Sequence, residues 1–212
     1  MTMMKSRLYI IALLGLLLVA GMPGPATAAT CGLIVKSSFG PHDYRDYNKR
    51  GALEVVERRH FTPAIEELAG NSRYIAADLS YTLNKFPNHY RALDAISRLG
   101  AKVGAEQPQG SDHSIDCWFQ RAVVFQPKDG IVRLTYGIHL ERMGKFPEAL
   151  KHVEAGLRLE PGNAKMLYYV ARLKLRLGNP DEARRYALEA QAAGFAIADL
   201  REELTALGHW ED

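Results

Sequence analysis

The sequence predicts an all-α fold, a right-handed solenoid of antiparallel helix pairs with a C-terminal capping helix. Three observations lead there. First, Gly144-Lys145-Phe146-Pro147-Glu148-Ala149 returns 34 residues later as Gly178-Asn179-Pro180-Asp181-Glu182-Ala183, and periods of roughly 20–50 residues mark repeat architectures. Second, small residues keep the same spacing: Gly137 aligns with Ala171, Val153 with Ala187 and Gly156 with Ala190, while Pro127 aligns with Pro161. Small side chains at fixed positions let paired helices pack closely, and the glycine makes the turn between them. Third, no segment shows the period-two alternation of a strand. The composition agrees, with 47% hydrophobic and 24% charged residues, values that exclude wholesale disorder. A formal net charge of +3 is too small a bias to imply a nucleic-acid partner.

The chain opens with a basic stretch carrying Lys5 and Arg7, then an apolar run at Leu8–Ala20, then Gly21, Pro23, Gly24 and Pro25 ahead of Ala26-Thr27-Ala28. Basic, apolar and small-residue regions in that order read as a secretory signal peptide cleaved after Ala28. The apolar run reaches only ~20 Å as a helix, short of a ~30 Å hydrocarbon core, so no membrane insertion is expected after cleavage. Losing residues 1–28 removes Lys5 and Arg7 and lowers the net charge from +3 to +1. A periplasmic location follows as the expectation.

Export changes the meaning of Cys31 and Cys117. In an oxidising compartment two thiols are expected to form a structural disulfide, here fastening the segment around Thr30–Asp46 to the helical body. The alternative is a redox or metal-ligating thiol. No CxxC is present, and Asp112, His113 and Asp116 form no ligand pattern with Cys117.

The predicted organisation is a leader at 1–28, an extended segment at 29–47, a degenerate helical block at 48–87 and a repeat array at 88–207. The array divides into an irregular repeat (88–129), repeats at 130–163 and 164–198, and a capping helix at 199–207, followed by a tail at 208–212. In the block, helices are expected at Asn48–Arg59, at Pro63–Ala69 behind a Thr62 cap, and at Tyr74–Phe86. The irregular repeat reads as helices at Asn88–Leu99 and Ile115–Phe125, separated by a polar, glycine-rich loop over Gly100–Ser114.

A small residue, a turn glycine, Glu-Ala on the second helix, a second small residue and then Leu159-Glu160-Pro161-Gly162-Asn163 together resemble the tetratricopeptide repeat. The pattern departs at Arg133 and Leu167, where an aromatic is usual, and at Leu140 and Lys174, where a tyrosine is usual. The segments Gly40-Pro41-His42-Asp43-Tyr44, His60-Phe61-Thr62-Pro63 and Phe86-Pro87-Asn88-His89-Tyr90-Arg91-Ala92-Leu93 make the whole similar to exported tetratricopeptide-repeat proteins of Gram-negative bacteria. The resemblance implies a protein-interaction adaptor or scaffold serving the envelope or a secretion or assembly machinery.

In such arrays the first helix of each pair lines a concave groove. The positions expected to face it are Tyr90, Arg91, Asp94 and Arg98; Ile131, Leu134, Thr135, Ile138 and Arg142; and Lys165, Tyr168, Tyr169, Arg172 and Arg176. Arginines there are expected to pair carboxylates of an extended peptide, and tyrosines to supply flat apolar contact. The rival site is a metal or ligand centre in block 40–89, built on His42, His60 and His89. No HExxH or His-x3-His spacing supports it. The plainer expectation is that His60 and His89 hydrogen-bond turns while His42 and His113 are solvated. No nucleophile elbow, phosphate-cradling loop or paired-carboxylate frame is present, so neither enzymatic activity nor a cofactor is expected. Trp118 and Trp210 read as packing residues, with a surface anchor as the alternative for Trp210.

Overall fold

Polar side chains at one repeat position start the first helices. His89, Asp129 and Asn163 follow Phe86-Pro87-Asn88, Gln126-Pro127-Lys128 and Glu160-Pro161-Gly162 respectively, and each accepts a hydrogen bond from the backbone N–H three residues on, at Ala92, Val132 and Met166. Each bond satisfies one of the donors a helix leaves unpaired at its start. The helices that begin there are α4 (Tyr90–Val103), α6 (Gly130–Arg142) and α8 (Ala164–Arg176). The second helices are α5 (Ile115–Phe125), α7 (Phe146–Leu159) and α9 (Pro180–Ala192). Gly144 and Gly178 turn the chain into α7 and α9 with φ of +72° and +77°, and Pro147 and Pro180 occupy first-turn positions where no N–H is needed. Before the array lie a 3-10 turn (Tyr47–Lys49), α1 (Arg50–His60), α2 (Pro63–Glu66) and α3 (Ser72–Lys85); α10 (Ala198–Ala206) follows it. The computed structural model describes residues 31–32, 34–37 and 39–210. The leader at 1–28 lies outside them. Among the described residues there is no strand, and no helix is long and apolar enough to cross a membrane.

Helix pairs close on the small residues. Ala149, Val153, Ala171, Ala183, Ala187 and Ala190 are fully buried. At Gly137 an added Cβ would stand 2.3 Å from Val153 Cγ2, so the two helices of that pair meet at a distance only glycine permits. A continuous core runs from Phe61 through Phe119 to Leu173, and a second cluster joins Leu167 and Tyr168 to Leu200, Leu204 and Trp210. Trp210 is buried, with the guanidinium of Arg201 5.0 Å from its ring, and so closes the array instead of projecting from it.

Two helices end differently from the sequence expectation. Helix α4 continues to Val103, leaving residues 104–114 as the connecting loop. The loop is held from within: Ser111 Oγ accepts from Trp118 Nε1 at 3.0 Å and donates to the His113 carbonyl at 2.7 Å. Helix α2 lasts one turn instead of reaching Ala69, and it closes on itself: the Leu68 N–H donates to the Ile65 carbonyl and the Ala69 N–H to the Ala64 carbonyl. Arg98 donates to the Glu66 carbonyl at 2.8 Å and Lys102 to the Leu68 carbonyl at 3.0 Å, and Leu68 turns out of the helix at φ +57°.

The segment before residue 47 crosses α5, α3 and the start of α4 as a strap. A disulfide joins Cys31 to Cys117, with their Cα atoms 5.2 Å apart. Arg121 donates to the Cys31 carbonyl at 3.0 Å, and the His42 N–H donates to the Lys85 carbonyl at 2.9 Å. Fully buried Asn88 ties the strap to the array: it donates to Asp43 at 2.7 Å and Asp129 at 2.9 Å and accepts from the Tyr44 N–H at 2.9 Å. One amide thus satisfies groups of the strap and of the array at once.

Candidate partner-binding face

Side chains projecting from one face of α4, α6, α8 and α10 meet in a chain of ion pairs. On α4, Asp94 accepts from Arg98 at 2.8 Å and, across to α6, from Arg142 at 2.8 Å; Arg142 also donates to Ser97 Oγ at 3.0 Å. From α6, Glu141 accepts from Arg172 of α8 at 2.8 Å. From α8, Arg176 reaches Glu203 of α10 at 3.1 Å, and the Tyr168 hydroxyl donates to Asp199. At the other end Arg91 pairs with Glu66 and lies 3.6 Å from Glu57. The first helices are therefore zipped together along one continuous polar surface.

Electrostatics hold these groups in their charged forms. Burial works against the charge on Asp94, but hydrogen bonds from Arg98 and Arg142 outweigh it and keep the carboxyl below its ordinary range. Burial likewise opposes the charge on Arg172, and the Tyr168 hydroxyl and Glu141 more than offset it. The Glu141 side chain is well enclosed, 9% exposed. Tyr169 lies half-buried beside it, its ring 5.6 Å from the Arg172 guanidinium, and burial raises its hydroxyl above the ordinary phenol range.

Half of the positions expected to face a groove share this surface: Arg91, Asp94, Arg98, Arg142, Tyr169, Arg172 and Arg176. Their state differs from the expectation. Each of these arginines already holds a carboxylate of the chain itself, so none waits as an isolated cation for a peptide's acid. Tyr168, Leu134 and Thr135 are buried and pack, while Ile131 and Ile138 lie partly buried against the core. Lys165 is exposed at the start of α8, and Tyr90 sits at the edge, 5.3 Å from Tyr44 in a T-shaped contact.

The histidines do not converge. His60 Nδ1 lies 2.8 Å from Asp78, and its ring packs 4.0 Å from Tyr81. His89 is fully buried; its Nδ1 caps α4 while its Nε2 faces Glu57 at 3.1 Å. Burial lowers its affinity for a proton. His42 and His113 are partly buried instead of fully solvated: His42 lies between Phe39 and Phe86, and His113 packs edge-on to Trp118, because the strap and the loop fold back over aromatic rings. Among the described residues no group of three or more His, Cys, Asp or Glu side chains is placed to hold a metal.

Sequence reasoning missed Glu66, Glu141, Asp199 and Glu203, the acidic half of the face apart from Asp94. A signal existed. Glu141–Arg172 and Tyr168–Asp199 are both separated by 31 residues, one helical step short of the 34-residue period, which is where neighbouring first helices bring side chains level.

Comparison with known proteins agrees with this architecture. The tetratricopeptide-repeat family profile matches residues 140–201. Among solved structures, PilF of Pseudomonas aeruginosa superposes with a TM-score of 0.54 at 14% identity, covering 78% of this chain and 80% of that one. A MamA protein gives a TM-score of 0.49 at 15% identity, covering 78% and 81%. No curated protein matches in sequence. At such identities the likeness speaks for the fold alone. Residues 140–201 thus match the tetratricopeptide-repeat family, and the helical array that carries them has the fold of such repeats.

Proposed function

We propose that the chain is a non-enzymatic adaptor of the periplasm, exported by a cleaved signal peptide, that binds a protein of the envelope or of a secretion or assembly machinery on the polar face of its first helices. The continuous zipper from Glu66 to Glu203 carries this reading. It holds tyrosine rings and guanidinium groups rigidly along several helices, and preorganised donors lose little entropy on binding. Because the face is internally neutralised, it favours a segment with both acidic and basic side chains, which can exchange partners with it without leaving a charge unpaired. The order of the leader's three regions and the Cys31–Cys117 disulfide support an oxidising compartment.

The test is a charge swap. Exchanging the Glu141–Arg172 pair as Glu141→Arg with Arg172→Glu keeps the intramolecular ion pair but reverses the pattern a partner meets. Crosslinked complexes of the exported chain should contain a protein partner in the native pattern and lose it in the swap. Equal recovery from both would show that the partner does not read this face.

A further inference from the structure

A cavity of about 470 Å³ lies between the end of α4, the start of α5 and the end of α6, within the size range of small-molecule sites. It exists because residues 104–114 replace the short turn of the other repeats and because Ala101 and Gly104 carry almost no side chain there. Ser97 is the group of its lining that also belongs to the zipper.

The polar lining is in a defined state. His139 lines the cavity and is 6% exposed. Its Nδ1 stands 2.9 Å from Ser97 Oγ. Ser97 Oγ already accepts from Arg142, and among the described residues His139 Nδ1 is the acceptor for its proton. With the Ser97 hydroxyl assigned as donor to Nδ1, the ring proton is on Nε2, which has no protein acceptor among the described residues. Burial, with Arg142 and Lys145 nearby, pushes the His139 pKa down to about 4, so the ring is a neutral donor at pH 7.

Asp116, at the start of α5, accepts from the Tyr136 hydroxyl and from Gln120 at 2.5 Å, but no cation of the described residues pairs with it. Lys145 lines the same cavity and forms no ion pair among the described residues. A cation and an anion that share a cavity without neutralising each other leave both poles open to a ligand.

We propose that this cavity binds a small zwitterion of the amino-acid or dipeptide class. Its carboxylate faces Lys145 and the His139 Nε2–H, and its ammonium group faces Asp116. Glu106 and Ser114 complete the polar lining, and the apolar part, with Ile115 and Met143, accommodates a short side chain.

The probe is L-alanyl-L-alanine, with its N-acetyl and C-terminal amide derivatives as controls that each lack one charge. Binding is read by ¹H–¹⁵N spectra that include the His139 ring. The dipeptide should shift the His139 Nε2 resonance and the amides around Ala101 and Asp116 saturably. Each derivative should bind about tenfold more weakly or worse, since each loses one charge-assisted contact. Ala101→Phe, at an exposed position, fills the space and should abolish the shifts while the chain stays folded. Asp116→Asn should weaken the dipeptide but not the N-acetyl derivative. Absence of shifts with the dipeptide and with free L-alanine overturns the proposal. So does N-acetyl binding as tight as that of the dipeptide, or binding that survives Ala101→Phe.

Discussion

Reversing Arg172 alone is expected to damage the fold, and reversing its partner as well is expected to repair it. Arg172 Nε donates to Glu141 Oε1 at 2.8 Å, where the Glu141 side chain is 9% exposed and that of Arg172 is 35% exposed. The pair thus falls between an exposed ion pair, worth ~0.2–1 kcal/mol, and a buried one, whose breakage costs ~3–5 kcal/mol. Arg172→Glu leaves Glu141 enclosed without a cation and sets a second carboxylate against it. The structure therefore predicts a loss of about 3 kcal/mol for Arg172→Glu and about 2 kcal/mol for Glu141→Arg. The double reversal should return to within about 1 kcal/mol of the starting protein, a coupling of several kcal/mol for residues in direct contact. Urea unfolding followed by circular dichroism and tryptophan fluorescence measures all four corners of the cycle. If the two single losses simply add in the double variant, the ion pair does not hold α6 to α8 and the zipper is an incorrect description.

Three further outcomes follow from the packing, the strap and the cavity lining. Gly137→Ala would place a Cβ 2.3 Å from Val153 Cγ2 and should cost about 1–3 kcal/mol by overpacking, read as a lowered Tm. Replacing both Cys31 and Cys117 by serine opens a closure of 86 residues and should cost up to ~4–5 kcal/mol on the chain-entropy account. In that variant amide exchange should speed most at Tyr44 and Asn88, where the strap is tied. His139 titrates near 4 in the folded chain against 6.5 unfolded; below pH 6.5 the unfolded chain binds a proton that the folded chain refuses, so stability falls with falling pH. That loss reaches ~3 kcal/mol by about pH 4 and then levels; His139→Gln should remove this part of the pH dependence in unfolding curves taken from pH 7 to pH 4.

The helices of the array could be read from the sequence because their signals are local. The caps at Asp129 and Asn163, the turn glycines and the prolines at the start of α7 and α9 all act within a few residues. The path of the strap could not, since it depends on Asn88 meeting Asp43 and Asp129 from distant segments. The early end of α2 was hidden because Leu68 leaves the helix at φ +57°, a conformation its residue type does not announce. The basic half of the polar face was legible as a stripe on α4, α6 and α8. Of the acidic half only Asp94 was read; Glu141 and Asp199 leave a 31-residue spacing as their one trace, and Glu66 and Glu203 come level with their arginines only once the helices are stacked. The cavity left no trace in any motif; it is a space made by small residues and a long loop.

The account rests on partners meeting the face of the first helices, and site-specific photocrosslinking in the intact cell envelope tests that most directly. A photoreactive phenylalanine analogue is placed at position 169, half-buried within the zipper, or at position 124, where Val124 is 76% exposed on the second helix α5. The account predicts a discrete protein adduct from position 169 and none from position 124. An adduct from position 124 with none from position 169 would contradict it.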